Sequence, residues 1–185
     1  MASYLCRPGK GPADAALRSF TISLALSDAL IALGVDAHDI ALKWPNDVLY
    51  KSGKLAGILL ESTNVEGELL LCIGIVVNLV GLPDTAKLDA TAMRPASLDG
   101  MIKPDELLSA LAASFAKWEQ VLLSEGFAPI RTAWLSRAAK IGEIITARLP
   151  NAEYRGMFET VDDSGALVLK TLQETLHLPA ADVFF

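Results

Sequence analysis

The sequence predicts an α+β domain, its sheet packed by helices, followed by a small all-β module. Three observations carry the prediction: two segments place apolar residues at helical spacing, four apolar runs between residues 40 and 79 are broken by hairpin signals, and only short strand-like runs follow Ile141-Gly142. Ala2 to Arg7 is a short apolar stretch that reads as a strand. Pro8-Gly9-Lys10-Gly11-Pro12 stops it, because that composition suits only a turn or loop. Ala15 to Leu33 carries Leu17, Phe20, Leu24 and Ile31 at helical spacing, with Asp14 as the expected N-cap and Gly34 as the stop, so an amphipathic helix on a sheet is predicted. Ile40 to Trp44, Asp47 to Tyr50, Lys54 to Ser62 and Leu69 to Leu79 follow as strands, with Pro45-Asn46, Ser52-Gly53 and Glu66-Gly67 as the connections.

Gly81 to Met101 shows no period and reads as a loop with at most short helical turns. Pro104 opens a helix that carries Leu107, Leu111, Phe115, Trp118 and Leu122 and ends at Gly126, and another helix is expected from Ala128 to Ala139. Both are expected to lie on the sheet. Glu143 to Leu149, Tyr154 to Val161, Ala166 to Leu172, Thr175 to Leu178 and Asp182 to Phe185 then read as five strands, with Asp162-Asp163-Ser164-Gly165 as a strong turn. Several strands without a helix predict a small barrel, which divides the chain into residues 1–139 and 140–185.

Bulk properties exclude several classes. With 52% apolar and 21% charged residues, the 185-residue chain has the balance of a globular protein. A net charge of −6 argues against a nucleic-acid partner, although a few local groups suffice for a nucleotide pocket. The longest apolar run, Leu69 to Val80, is well short of the ~20 residues of a membrane span, and Met1 to Gly11 shows no secretory pattern, so a cytoplasmic protein without a membrane partner is expected. Cys6 and Cys72 sit in apolar strand-like runs and read as buried, reduced thiols. His38 and His177 lack metal-ligand spacing, and Ser136 lacks a nucleophile-elbow pattern.

The chemistry-bearing residues lie in two blocks, Lys43-Trp44-Pro45-Asn46-Asp47-Val48-Leu49-Tyr50 and Lys54-Leu55-Ala56-Gly57-Ile58-Leu59-Leu60-Glu61. By residue type alone Lys43 is a strand-end surface lysine, Trp44 and Pro45 are a core aromatic and a turn former, and Lys54 is solvated. Asn46 and Asp47 are either turn residues or groups that place metal and phosphates. Gly57 suits close approach to a strand, and Asn78, inside an apolar run, has an amide with work to do.

These blocks closely resemble the signature of biotin protein ligases. The resemblance continues through Ile73-Gly74-Ile75-Val76-Val77-Asn78-Leu79, the helix around Trp118, Glu125-Gly126-Phe127-Ala128-Pro129 and Asp163-Ser164-Gly165-Ala166-Leu167, and so covers essentially the whole chain. It implies a class II aminoacyl-tRNA synthetase-like biotin ligase catalytic domain followed by an SH3-like barrel. It also implies that biotin and ATP, with Mg2+, give biotinyl-5′-adenylate, and that a lysine of a biotin carboxyl carrier protein then attacks it. Lys43 would contact the biotin carboxylate and the adenylate, where a cation offsets two approaching anions. Asn46 and Asp47 are second-rank candidates, Gly57 and Gly74 would shape the pocket, and Asn78 would lie near the phosphates.

The chain departs from the family pattern in two ways. Val76 stands where the second glycine of a Gly-x-Gly-x-Asn run is expected, which predicts a narrower pocket. The arginine- and glycine-rich loop that precedes the strand resembling Ala2 to Arg7 is absent, and Arg7, Arg94, Arg131 and Arg137 form no such run. The chain therefore reads as N-terminally incomplete, with weak or no activity expected of it alone and a sheet edge that a homodimer would cover. Two alternatives stay open: a non-catalytic relative that binds a carrier domain or nucleotide, and the lipoate-ligase branch, which the Lys43–Asp47 block and the barrel disfavour.

Overall fold

The computed structural model describes residues 1–9, 11–82 and 93–185. Two five-stranded antiparallel sheets organise the chain. The first takes β1 (Ala2–Cys6), β2 (Ile40–Lys43), β3 (Asp47–Tyr50), β4 (Gly53–Val65) and β5 (Glu68–Val77) in the order β1-β5-β4-β3-β2. The second, in the SH3-like barrel, takes β6 (Ile144–Leu149), β7 (Ala152–Val161), β8 (Leu167–Lys170), β9 (Thr175–Leu178) and β10 (Asp182–Phe184) in the order β10-β6-β7-β8-β9. Every pairing within the sheets is antiparallel, and β2 to β5 and β6 to β9 each follow one another through short turns.

The predicted first helix is two pieces, α1 (Pro12–Ala16) and α2 (Arg18–Ala32). Asp14 is not its cap. Pro12 starts α1 three residues earlier than expected, since its fixed φ suits a first helical turn, and Asp14 instead accepts from the Arg18 guanidinium at 3.1 Å. Arg18 is 0% exposed and also holds Glu119 at 2.6 Å, so a cation at the core is matched by two carboxylates. The segment Pro12–Ala32 is long and apolar enough to cross a membrane, but 67% of its apolar window is buried against the rest of the fold. Ile22, Leu24, Leu26 and Leu30 supply the core on the helical face of the first sheet.

α3 (Pro104–Glu125) packs beside α2 and reaches the sheet through Phe115, whose ring lies 5.3 Å from Tyr4 on β1. α4 (Phe127–Leu135) is shorter than expected and lies against α2, α3 and β7 of the second sheet rather than on the first. It is drawn there by Trp134, buried against Phe20 with its indole N–H donating to Ser23 Oγ at 3.2 Å. Cys6 and Cys72 are free and half-buried rather than fully buried. Of the predicted 81–101 loop, residues 83–92 lie outside the described residues, and residues 94–96 run as an extended segment bridged to Lys54.

Candidate active site

Strand alternation gives the first sheet two faces, and among the described residues no helix covers the one that carries Leu59 and Val76, both exposed. The register aligns Asp47, Gly57 and Val76 in one row across β3, β4 and β5, and Leu59, Gly74 and Ser3 in the next row across β4, β5 and β1. Two glycines make a low floor. Val76 rises from it, 51% exposed, directly beside Gly57. One concavity over this face is lined by Lys43, Asn46, Asp47, Lys54, Gly57, Gly74, Val76 and Asn78, with Asp182 and Phe185 reaching in from the barrel. The six residues singled out in the sequence thus converge on one surface.

At the head of the floor, the Lys43–Asp47 pair closes the β2–β3 hairpin through Trp44, Pro45 and Asn46, with a cis bond between Trp44 and Pro45. Three neighbours hold this turn. Ser19 on α2 donates to the Pro45 carbonyl at 2.8 Å, Asn46 exchanges bonds with Ile58 on β4 at 2.7 and 3.0 Å, and the Trp44 indole N–H donates to the Gly165 carbonyl at 3.0 Å. One N–H of the Asn46 amide is therefore spent on backbone.

Asp47 is buried and holds two cations. Its Oδ2 lies 3.4 Å from Lys43 Nζ, and its Oδ1 lies 2.6 Å from Lys54 Nζ, off the hydrogen-bonding direction. Lys43 is only 8% exposed. Burial pushes its amine below the ordinary lysine value; Asp47 pulls the other way, Lys54 adds to the lowering and Asp182 opposes it. Lys54 is half-exposed at the mouth, and a methyl on Gly57 would meet its Cε at 3.4 Å, so the glycine leaves Lys54 room to move. The arrangement presents one half-exposed and one desolvated ammonium at a single spot, which suits two anions that must approach each other.

Asn78 lies just past β5. Its backbone N–H donates to the Leu55 carbonyl at 2.9 Å and its side-chain amide donates to the Ala96 carbonyl at 3.0 Å, so it staples the 94–96 segment over the start of β4. Gly53 permits that approach, since a Cβ there would stand 2.9 Å from Ala96 Cβ. The barrel adds groups that the sequence reading missed. The Phe185 ring centroid lies 5.9 Å from Lys43 Nζ and 5.8 Å from Lys140 Nζ, and no local pattern signals contacts across so many residues.

A known protein matches nearly the whole of this chain. It is 49% identical over 189 residues, covering 99% of this chain and 78% of the biotin--[acetyl-CoA-carboxylase] ligase of Paracoccus denitrificans. The chain belongs to the biotin protein ligase family. Residues 6–79 match the model of the biotin/lipoate A/B protein ligase family, and residues 140–185 match the biotin protein ligase C terminal domain. The bifunctional ligase/repressor BirA of Bacillus subtilis is 31% identical, with 77% of this chain covering 45% of that protein. The biotin protein ligase of Aquifex aeolicus, solved in complex with biotin and ATP, shares the fold at TM-score 0.77 and 20% identity, over 98% of this chain and 75% of that one. The lysine pair, glycine floor and barrel thus sit in a biotin protein ligase framework.

Proposed function

We propose that this chain activates biotin with ATP and transfers the biotinyl group to a lysine of a biotin carboxyl carrier protein. In the first step a carboxylate oxygen of biotin attacks the α-phosphorus of ATP, giving biotinyl-5′-adenylate and releasing pyrophosphate. In the second, a deprotonated carrier lysine attacks the acyl carbon, and AMP leaves as the amide forms. The observation that carries the reading is the pairing of Lys43 and Lys54 through Asp47 at the head of a glycine-floored, partly apolar face. Such a face suits an uncharged bicyclic ring, and the cations suit its carboxylate and the α-phosphate.

Lys43, desolvated and paired with Asp47, is the cation assigned to the biotin carboxylate and the adenylate, with half-exposed Lys54 beside it at the mouth on the same carboxylate. Gly57 and Gly74 leave space for the ring, and Asn46 and Asn78 hold the walls. Mg2+ fits as a cation carried by the nucleotide phosphates: among the described residues there is no cluster of three metal-ligating side chains, and Asp47 is already compensated by two lysines. A boundary at 139/140 is supported by the family match from residue 140 and by the start of β6 at Ile144. A cytoplasmic location and a homodimer through the β1 edge complete the reading.

The test is biotin-dependent ATP–pyrophosphate exchange, together with labelling of a carrier domain. Wild type exchanges and labels, and Lys43→Met lowers kcat by about 100-fold, the scale of losing one group that stabilises developing charge. Biotin that binds without exchange would favour a non-catalytic relative, and exchange with lipoate instead would move the chain to the other branch.

A further inference from the structure

The turn 162–166 joins β7 to β8 away from the substrate face, yet its Gly165 carbonyl receives the indole N–H of Trp44, the residue after Lys43. We infer that this barrel turn positions Lys43, with Asp162 and Trp44 as the positioning residues. The inference rests on the ligase reading and adds to it a requirement within the barrel.

Asp162 organises the whole turn. Its Oδ1 accepts from Ser164 N at 2.9 Å, from Ser164 Oγ at 2.6 Å and from Ala166 N at 3.1 Å, and its Oδ2 faces His177 Nδ1 on β9 at 2.6 Å. Backbone bonds from Asp162 N to the Ala166 carbonyl and from Gly165 N to the Asp162 carbonyl close the same loop at 2.9 and 3.0 Å. Partial burial raises the Asp162 pKa, but the bonds from Ser164, His177 and Ala166 outweigh it and leave the carboxyl at about 2. The carboxylate therefore holds the turn as an anion throughout the physiological range.

The turn is also fixed from outside. Gly165 has φ +85°, and a Cβ on it would stand 3.0 Å from Phe20 Cε2 and 3.3 Å from Leu17 Cδ2, so only glycine lets the turn rest on the start of α2. Ser19 on that same stretch holds the Pro45 carbonyl. Arg131 on α4 pairs with Asp163 at 2.8 Å. Helix α2, the barrel turn and the Trp44–Asn46 turn thus form a closed triangle. One corner carries Lys43, whose amine must be placed to within ~0.5 Å for chemistry.

A double-mutant cycle on Trp44 and Asp162 tests this. Trp44→Phe keeps an aromatic side chain, though a smaller one, and removes the donor; Asp162→Ala removes the organiser; Asp162→Asn keeps the Oδ1 acceptor and serves as the rescue. In pyrophosphate exchange each single loss lowers kcat by about ten-fold with KM for biotin within about three-fold, the double variant is no worse than the worse single, and Asp162→Asn stays within about two-fold of wild type. Multiplicative losses, or unchanged kcat in an active enzyme, overturn the inference. A second readout is independent of turnover: acetylation of lysine amines without substrates, followed by mass spectrometry. Asp162→Ala raises the Lys43 rate at least five-fold with Lys54 within two-fold. Equal Lys43 rates overturn the inference, whereas inactivity of wild type alone counts only against the ligase reading.

Discussion

Replacing Asp47 with Asn keeps the shape of the side chain and removes the one charge that both lysines share. Lys54 is half-exposed and can turn to water, so its loss is small. Lys43 is 8% exposed and cannot, so it is left as a buried cation without its paired carboxylate, with only the weaker field of Asp182 opposing its desolvation. Breaking such a pair costs about 3–5 kcal/mol, and the penalty has a ceiling because Lys43 can release its proton instead. From an unfolded-state pKa of about 10.4, that release costs about 4.6 kcal/mol at pH 7 and about 1.9 kcal/mol at pH 9.

Wild-type Lys43 is already shifted downward, so part of this cost is present before the mutation. A destabilisation of about 3 kcal/mol is therefore expected at pH 7, and about 1 kcal/mol at pH 9. The direction follows from proton counting. With the folded-state pKa of Lys43 below its unfolded value, the unfolded chain binds more protons between the two values, and stability rises with pH across that window. The Asn variant widens the window downward and steepens the rise. Urea unfolding of both proteins at pH 7 and pH 9, followed by tryptophan fluorescence, measures the difference. A loss that is equal at the two pH values, or smaller than ~1 kcal/mol at pH 7, refutes the shared-charge account.

Glu119→Ala should destabilise the fold by about 2 kcal/mol in thermal or urea unfolding, less than a fully buried pair because Asp14 still faces Arg18. Glu119→Gln should recover part of that loss through its amide oxygen. Val76→Gly lowers the floor beside Gly57 and should increase biotin affinity in calorimetric titration by a few-fold, whereas a valine that packs on the ligand would make the same change weaken binding.

Much of the architecture was legible because it is local. The period-2 runs, the Glu66-Gly67 hairpin and the Pro104 helix start each depend on a few neighbouring residues, and β3, α3 and β9 appear where the pattern placed them. Misplaced boundaries have tertiary causes. α4 ends early because Ala138 and Ala139 leave the helix to bridge Leu42 on β2. β4 runs on to Val65 because β5 pairs with it along its full length. Helix α1 begins at Pro12, a start signal that the apolar period did not contain.

The site divides in the same way. Membership of the lysine–tryptophan–proline–asparagine–aspartate block in a ligase pattern was written in adjacent residues, whereas the shared face of Gly57 and Gly74 follows from the register of β4 against β5. The division of labour within the site was not written there. That Lys43 is desolvated while Lys54 is half-exposed, that one carboxylate serves both, that Asn46 and Asn78 are bound to backbone, and that a barrel carbonyl more than a hundred residues away holds Trp44 all depend on burial and distance. Residue type and spacing select which groups a chain carries. Desolvation and the geometry of long-range contacts select their charge state and their partners, and only the folded chain has either.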